Sequence, residues 1–234
     1  MWIDNKIFAR NSEPVALEVW CPDDTIVVLG RGNSFVTECY QEACKQDQIQ
    51  VLRRSGGGGA VVLHKGCIVV SLGLWVQDYF RNDYYFNKTN QAIIATLEQV
   101  DPAFRNLYQD GISDICYEGK KIAGTSLFRS RNYLLYQASL LYSTNHSLIG
   151  RYLRHPSKEP AYRKKKAHSE FLSALEEITS DSSQEKIQNF LRNNLQETIK
   201  IYFSKDLIMP QKEQFSSLVK KRQIDQENSL GSLT

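Results

Sequence analysis

A run of four consecutive glycines between two β-rich segments constrains this chain more than any other feature. Residues 56–59 are all glycine, and they follow Arg53, Arg54 and Ser55 and directly precede the apolar stretch 60–63. Four glycines in succession need a compensating role, because glycine loses more conformational entropy on folding than other residues. Without Cβ atoms, successive backbone N–H groups can line an anion site, and the arginines supply planar donors. A flexible hairpin tip beside surface arginines is the alternative.

Two familiar phosphate-binding loops do not account for this segment. The Gly-Lys-Ser/Thr ending of a Walker loop is absent. No helix is predicted after the glycines, as a Rossmann fingerprint would require. The sequence therefore predicts a different cradle for a phosphate or carboxylate, one that continues directly into a strand.

The apolar pattern changes between strand and helix periods along the chain. Short apolar or β-branched runs typical of strands occupy residues 15–20, 25–29, 49–52, 60–63, 67–72 and 133–142. Residues 84–100 have the spacing of an amphipathic helix, and a capping-box pattern at 182–185 opens another. Residues 38–46 are also predicted to be helical. A strand, a tight turn at 118–119 and a second strand are predicted over residues 114–124.

Composition and charge exclude several classes of protein. Of the 234 residues, 41% are hydrophobic and 24% are charged, and the formal net charge is +3. This balance is that of a globular domain, and the charge is too small to indicate a nucleic-acid partner. The cysteines form no Cys-x-x-Cys pair and suit neither a zinc site nor a disulfide framework. Without a signal-peptide pattern or about 18 consecutive apolar residues, we expect a soluble, cytoplasmic protein with no membrane partner.

Three motifs occur in the order found in one enzyme family. Residues 53–61 resemble an Arg-Arg-x-x-Gly-Gly-Gly-x-Val signature, and residues 27–31 resemble the strand and Gly-Arg turn before it. Residues 121–126 resemble a Lys-x-x-Gly-Ser-Ala segment. The chain thus resembles the biotin/lipoate A/B protein ligase family, and most closely its lipoate-ligase branch.

The resemblance implies a fold and a domain organisation. The expected fold is α+β, a mixed β-sheet flanked by helices, like the catalytic domain of the family and of class II synthetase type. The catalytic domain is expected to cover residues 1–205. A C-terminal tail at 206–234, with a polar composition, is expected to be loosely held.

The resemblance also implies a pocket for an acyl-adenylate. Its lining is expected to include Arg54, Gly57, Gly58, Gly59, Ala60 and Val61. Asp114 matches an acidic position of the family just before the lysine strand, so it is a further candidate. No residue is predicted to ligate a metal directly.

Lys121 is the residue expected to be catalytic. In the family the matching lysine contacts both the acyl carbonyl and the phosphate. The residues themselves support this assignment, since Lys121 starts a strand next to the small Ala123 and Gly124, which leave room for a substrate. An ammonium group there can stabilise negative charge that develops on a carbonyl or a phosphate. The alternative is that Lys120 and Lys121 are solvated charges at a hairpin.

The activity implied is that of a lipoate–protein ligase. Lipoate or octanoate would be activated by ATP, with Mg²⁺, to an acyl-adenylate, and the acyl group would pass to a lysine of an acceptor protein domain. Two alternatives stay open. One is an ATP-independent octanoyl or lipoyl transferase with a cysteine nucleophile, for which Cys116 is the only cysteine near the lysine hairpin and is predicted to be a buried small residue. The other is a non-catalytic acyl-binding module. Biotin as the substrate ranks below lipoate or octanoate.

Some positions depart from the family pattern. Leu63 stands where the family often has a histidine, and a shift of one residue would put His64 on the opposite face of the strand. The family's His-His-Gly-Thr-Leu-Leu strand is represented by residues 136–141, which contain no histidine. Val61, Val70 and Leu72 could wall an acyl tunnel, but they would serve a hydrophobic core equally well.

A basic segment follows the last predicted strand. Residues 151–168 are expected to form an exposed loop that either docks an acidic acceptor domain, closes over the adenylate phosphates or is merely a solvated face. The residues predicted to dock the acceptor are Arg151, Arg154, Arg163, Lys164, Lys165 and Lys166.

Overall fold

The structure is a computed structural model that describes residues 4–8, 10, 12–77, 81–156, 159–179 and 181–210. Most of the predicted tail, residues 211–234, lies outside this part of the chain. Residues 206–208 are hydrogen-bonded to the body of the protein, since Gln77 N donates to Asp206 O and Ile208 N donates to Trp75 O, both at 2.9 Å. The domain boundary at residue 205 stays a prediction.

A six-stranded antiparallel sheet forms the body of the molecule. Its strands are β1 (Val15–Trp20), β5 (Cys67–Trp75), β6 (Tyr108–Asp110), β7 (Asp114–Tyr117), β8 (Lys120–Ser130) and β9 (Tyr133–Leu141). The order across the sheet is β1-β5-β9-β8-β7-β6. The strand, tight turn and strand predicted at residues 114–124 are confirmed as β7 and β8.

A smaller three-stranded sheet carries the glycine segment. It consists of β2 (Ile26–Leu29), β3 (Gln50–Arg53) and β4 (Val61–Leu63), in the order β3-β2-β4. β2 pairs with β3 in parallel and with β4 antiparallel. The predicted α+β fold is confirmed, and the mixed pairing is confined to this smaller sheet. The four glycines lie between β3 and β4, and both ends of this loop lie at the C-terminal end of β2, one on each edge of that strand.

The helices differ in length and role. They are α1 (Asn5–Phe8), α2 (Phe35–Glu38), α3 (Gln41–Gln46), α4 (Asn82–Val100), α5 (His146–Tyr152), α6 (His168–Phe171) and α7 (Gln184–Tyr202). The single helix predicted at residues 38–46 is wrong, because the chain is extended at Cys39 and Tyr40. Tyr40 N donates to the carbonyl oxygen of Tyr152 at 2.9 Å, and this tertiary pairing separates α2 from α3.

The two long helices pack against one face of the larger sheet. α7 begins one residue later than the capping box at 182–185 predicts, because Ser183 is the N-cap and its side chain accepts a hydrogen bond from Lys186 N. The apolar faces of α4 and α7 meet alternate residues of β5 in the main core, including Ile68, Val70 and Leu72. Of the two alternatives for Val70 and Leu72, the structure supports the hydrophobic core, since period-2 alternation turns both toward the helices. Val69 points the other way and packs with Val28 and Leu63 of the smaller sheet.

Candidate active site

A cavity of about 650 Å³ lies between the two sheets. Its apolar wall includes Val28, Val61 and Leu63 from the smaller sheet and Val69 from the larger. The volume lies within the range of pockets that take small organic ligands. Val61 is thus the one predicted tunnel residue that the structure places in the cavity wall.

Arg54 fixes the conformation of the glycine loop. Its Nη2 donates to the carbonyl oxygens of Gly57 at 2.7 Å and Gly59 at 2.8 Å, and its Nε donates to Gly57 O at 3.2 Å. The residue is buried, and burial lowers the pKa of the guanidinium to about 10. Arg54 lines the cavity as predicted, but most of its donors are used by the loop backbone. It therefore shapes the glycine loop, which the sequence predicts to be an anion cradle.

The glycines of the loop are not equivalent. Gly58 has φ +90°, a left-handed conformation that L side chains rarely adopt, and it lines the cavity. A Cβ on Gly56 would lie 2.7 Å from Ser126 Oγ, so the loop approaches β8 closely there. A Cβ on Gly57 would meet nothing within 4 Å, and Gly57 is not part of the cavity wall. The cavity wall also contains the remaining predicted residues of this loop, which are Gly59, Ala60 and Val61.

Lys121 and Asp114 meet inside the cavity. The distance from Lys121 Nζ to Asp114 Oδ1 is 2.8 Å, and both residues line the cavity wall. Lys120, its neighbour in the sequence, is exposed. The structure therefore brings together the predicted catalytic lysine and the predicted carboxylate, in contrast to the alternative of two solvated hairpin lysines.

A β-bulge directs Lys121 toward the cavity. Ile115 pairs with Ala123 and Cys116 pairs with Lys121, so one residue of β8 between them is left unpaired. In a regular strand residues 121 and 124 would lie on opposite faces, but the extra residue puts them on the same face. A Cβ on Gly124 would lie 3.2 Å from Lys121 Nζ, so glycine leaves room for the ammonium group.

Tyr162 completes this group and was missed by the sequence analysis, which noted only a basic segment there. Its hydroxyl donates to Asp114 Oδ2 at 2.7 Å. Burial and the nearby Asp114 carboxylate raise the pKa of Tyr162 well above its ordinary value, so the hydroxyl keeps its proton. The two residues are 48 positions apart, and no local sequence pattern indicates such a contact.

Two polar atoms in the cavity wall lack a hydrogen-bond partner within the described residues. They are Gln137 Oε1, from β9, and His168 Nε2, from α6. A buried polar atom without a partner costs about 1–3 kcal/mol, which a ligand that donates or accepts there would recover. Gln137 could have been found from the sequence, because its amide interrupts a strand that is mostly apolar. His64 lies outside the cavity wall, its Nδ1 accepting from Gly66 N at 3.0 Å, whereas Leu63 lies in the wall.

The basic segment is more ordered than predicted. Arg151 belongs to α5 and pairs with Asp47, and residues Ala161–Arg163 form a 3₁₀ turn. Arg163 is only 5% exposed and its guanidinium lies 4.7 Å from the centroid of the Phe171 ring. The prediction that Arg163 docks an acceptor is therefore wrong, because a buried side chain cannot contact a partner.

Other cations of this segment are accessible to a partner. Arg154, Lys164 and Lys165 are exposed, and Lys166 is half-buried. Arg154 also lines the cavity, and its guanidinium lies 4.8 Å from the centroid of the Tyr40 ring. Of these four cations, Arg154 is the one that lines the cavity.

The carboxylates of the cavity wall are the candidate ligands for the predicted Mg²⁺. Within the described ranges, no group of three or more His, Cys, Asp or Glu side chains is arranged to hold a metal. Glu38, Asp114 and Glu159 line the cavity singly. Mg²⁺ commonly binds through substrate phosphates, water and one or two carboxylates. This donor set fits an ion that arrives with a triphosphate.

The cysteines do not supply an activated nucleophile. The five thiols are free, and Cys116 is fully buried. Burial raises the pKa of Cys116 to about 11, the opposite of what a reactive thiolate requires. In the part of the chain that is described, the structure has no helix with the length and apolar character of a membrane span.

The amino-acid sequence matches a known family of catalytic domains. Residues 2–196 match the family model of the lipoyl protein ligase A/B catalytic domain. Lipoate–protein ligase 2 of Staphylococcus aureus is 26% identical over 195 residues, which are 82% of this chain and 55% of that protein. A Plasmodium falciparum relative named inactive lipoate–protein ligase 2 is 24% identical over 163 residues, 56% of this chain and 42% of its own. The chain spans about half the length of these curated relatives.

Solved structures show the same fold. A Thermoplasma acidophilum lipoate protein ligase, in complex with lipoic acid, superposes with a TM-score of 0.67 at 20% identity, covering 84% of this chain and 78% of its own. A lipoate–protein ligase A bound with ATP gives a TM-score of 0.65 at 19% identity, covering 93% and 85%. With its glycine loop, its cavity lysine and its match over residues 2–196, this chain belongs to the lipoyl protein ligase A/B catalytic domain family.

Proposed function

We propose that this protein activates lipoate or octanoate with ATP and transfers the acyl group to a lysine of an acceptor protein domain. The observation that carries the proposal is that Lys121 Nζ shares one cavity with the glycine loop that Arg54 holds in place. The names of the relatives support a lipoate ligase, and separate solved structures of the fold hold lipoic acid and ATP.

In the first step, a carboxylate oxygen of the acid attacks the α-phosphate of ATP and pyrophosphate leaves. The glycine loop holds the phosphate close to the backbone, and the Lys121 ammonium stabilises negative charge on the phosphate and on the acyl carbonyl. Mg²⁺, bound to the triphosphate and a cavity carboxylate, would neutralise charge on the phosphate oxygens. The products are an acyl-adenylate and pyrophosphate.

The apolar wall accounts for selection of a medium-chain acid. Val28, Val61, Leu63 and Val69 offer apolar surface next to the polar groups of β8 and β9. Each methylene group that becomes buried contributes about 0.8 kcal/mol. Acids of several carbons are therefore expected to bind more tightly than acetate, with their carboxylates near Lys121.

In the second step, the uncharged amine of the acceptor lysine attacks the acyl carbonyl. A C–N bond forms, the bond between the carbonyl carbon and the phosphate oxygen breaks, AMP leaves and the amine gives up a proton. We propose that an acidic acceptor domain approaches the cavity mouth along the exposed Arg154, Lys164 and Lys165, with Arg151 and Lys166 at the periphery. A solved T. acidophilum lipoate ligase system includes an E2 lipoyl domain, which supports this class of partner.

Mass spectrometry of a lipoyl-acceptor domain tests the proposal. We expect a mass gain of one acyl group when the protein, ATP, Mg²⁺ and lipoate or octanoate are all present, and no gain without ATP. A gain that needs only an acylated carrier protein would instead identify a transferase, although the buried Cys116 is poorly suited as its nucleophile. Ligand binding without transfer would identify a binding module and contradict the proposal.

A further inference from the structure

The side chains of Tyr162, Asp114 and Lys121 form a continuous series of polar contacts. Tyr162 donates to Asp114 Oδ2 at 2.7 Å, and Asp114 Oδ1 lies 2.8 Å from Lys121 Nζ. Each carboxylate oxygen therefore has its own partner. Lys121 and Asp114 belong to the sheet, whereas Tyr162 belongs to the 3₁₀ turn at Ala161–Arg163.

The turn that carries Tyr162 is part of a segment that covers the cavity. Glu159, Arg163, His168 and Phe171, from the same stretch 159–171, all line the cavity wall. The Tyr162 ring packs against Phe171 with centroids 5.2 Å apart. A Cβ on Gly111 would lie 3.1 Å from the Tyr162 ring, so a small residue at the end of β6 accommodates it. The segment thus contacts the sheet through this tyrosine next to the lysine.

A free aspartate would not hold the ammonium in one place. Its carboxylate can rotate and exchange its two oxygens between partners, and an exposed lysine–aspartate pair is weakly ordered. A hydrogen bond that occupies Oδ2 leaves Oδ1 for Lys121 and fixes the plane of the carboxylate. The tyrosine hydroxyl suits this role because it keeps its proton and stays a donor.

We propose that Tyr162 is a positioning residue, which fixes the Asp114 carboxylate and through it the Lys121 ammonium when segment 159–171 covers the cavity. The proposal rests on the proposed function for its kinetic consequence, since a positioned ammonium matters only if Lys121 stabilises the activated acid. Its structural part, the attachment of the segment to the sheet, is independent of any reaction.

Substitution Tyr162→Phe removes the hydroxyl and keeps the ring on Phe171. We expect kcat of acyl-adenylate formation to fall by about tenfold, with KM for ATP and for the acid changed by less than about twofold. Tyr152→Phe is a matched control. The Tyr152 hydroxyl donates a hydrogen bond of 2.9 Å to Asp47, and neither residue lines the cavity. That variant is expected to keep the wild-type kcat.

A double-mutant cycle separates positioning from general damage. If Tyr162 acts through Asp114, adding Tyr162→Phe to Asp114→Asn should change kcat by less than about twofold. Effects that multiply would overturn the proposal, as would a Tyr162→Phe variant with the kcat of the wild type.

Limited trypsin digestion tests the attachment without any turnover. Lys164 and Lys165 are exposed cleavage sites next to Tyr162. Tyr162→Phe and Asp114→Asn should each speed cleavage there several-fold, since both remove a contact between the segment and the sheet, whereas Tyr152→Phe should not. If the wild type activated no acid, the proposed function would fail and this digestion would still decide the attachment. Unchanged cleavage in both cavity variants would overturn it.

Discussion

Arg54 Nη2 donates a hydrogen bond of 2.8 Å to the carbonyl oxygen of Gly59. Arg54 directly precedes the loop, and Gly59 lies at the other end of it. The same nitrogen also donates to Gly57 at 2.7 Å. The arginine that the sequence assigns to the ligand therefore acts first on its own backbone, and the shape of the glycine loop depends on it.

Replacing Arg54 with lysine should damage both the loop and the activity. Lysine has a single ammonium group and cannot reproduce the planar fork that contacts two carbonyl groups. For Arg54→Lys we expect a loss of about 1–3 kcal/mol in the free energy of unfolding and a raised KM for ATP. Denaturant titration and steady-state kinetics measure these. Arg31→Lys, at an exposed arginine before the loop, is the control and should change neither.

Alanine substitutions should separate the glycines of the loop. Gly58→Ala places a Cβ on a residue with φ +90° and only 3.0 Å from Arg54 Nη2, so we expect a loss of about 1–3 kcal/mol in stability and a loss of activity. Gly57→Ala meets nothing within 4 Å and should keep wild-type activity. Thermal unfolding and adenylate formation measure the two effects. Equal behaviour of the two variants would contradict this description of the loop.

Stability should fall as the pH drops below about 6.5, in part because of His64. Burial lowers the pKa of His64 below its ordinary value of 6.5, and its Nδ1 accepts from Gly66 N, which favours the neutral ring. Below pH 6.5 the unfolded chain takes up a proton that the folded protein does not, so stability is complete above 6.5 and is lost as the pH falls toward the folded pKa.

Melting temperatures at pH 7.5 and pH 5.5 check this expectation. The His64→Gln variant should lose less stability between these two pH values than the wild type. A His64→Gln variant with an unaltered pH dependence would show that other groups cause the acid loss.

Gln137 is expected to lower the stability of the ligand-free protein and to strengthen ligand binding. Its Oε1 is buried in the cavity wall without a hydrogen-bond partner among the described residues. Gln137→Leu is expected to raise the stability of the ligand-free protein by about 1 kcal/mol. If this oxygen accepts from the adenylate, a non-hydrolysable acyl-adenylate analogue should raise the melting temperature of the variant less than that of the wild type. Stronger stabilisation of the variant would refute a polar contact there.

Local signals predicted much of this molecule, because they reflect local physical causes. The helix expected at residues 84–100 is α4, and the capping pattern before residue 184 marks the start of α7. The glycine run predicted a loop between two strands, and residues 56–59 lie between β3 and β4. The lysine after the tight turn lies in the cavity, as expected from the small residues beside it.

The errors and the open alternatives concern features that only tertiary structure determines. Val70 and Leu72 have the composition of tunnel residues, but the register of β5 turns them toward α4 and α7. Arg163 looks like a surface cation in the sequence, yet it is buried against Phe171. Tyr162 carried no signal, because its partner Asp114 is distant in the sequence. The bulge that directs Lys121 depends on pairing between two strands and is likewise invisible in one of them.

The central claim is that Lys121 stabilises the activated acid, and ATP-dependent acyl-adenylate formation by Lys121→Ala and Lys120→Ala tests it most directly. Both lysines stand at the start of β8, but only Lys121 lines the cavity. We expect Lys121→Ala to fold normally and to lose activity by about 10²–10³-fold, while Lys120→Ala keeps it. Full activity in folded Lys121→Ala, or equal losses in the two variants, would contradict the account.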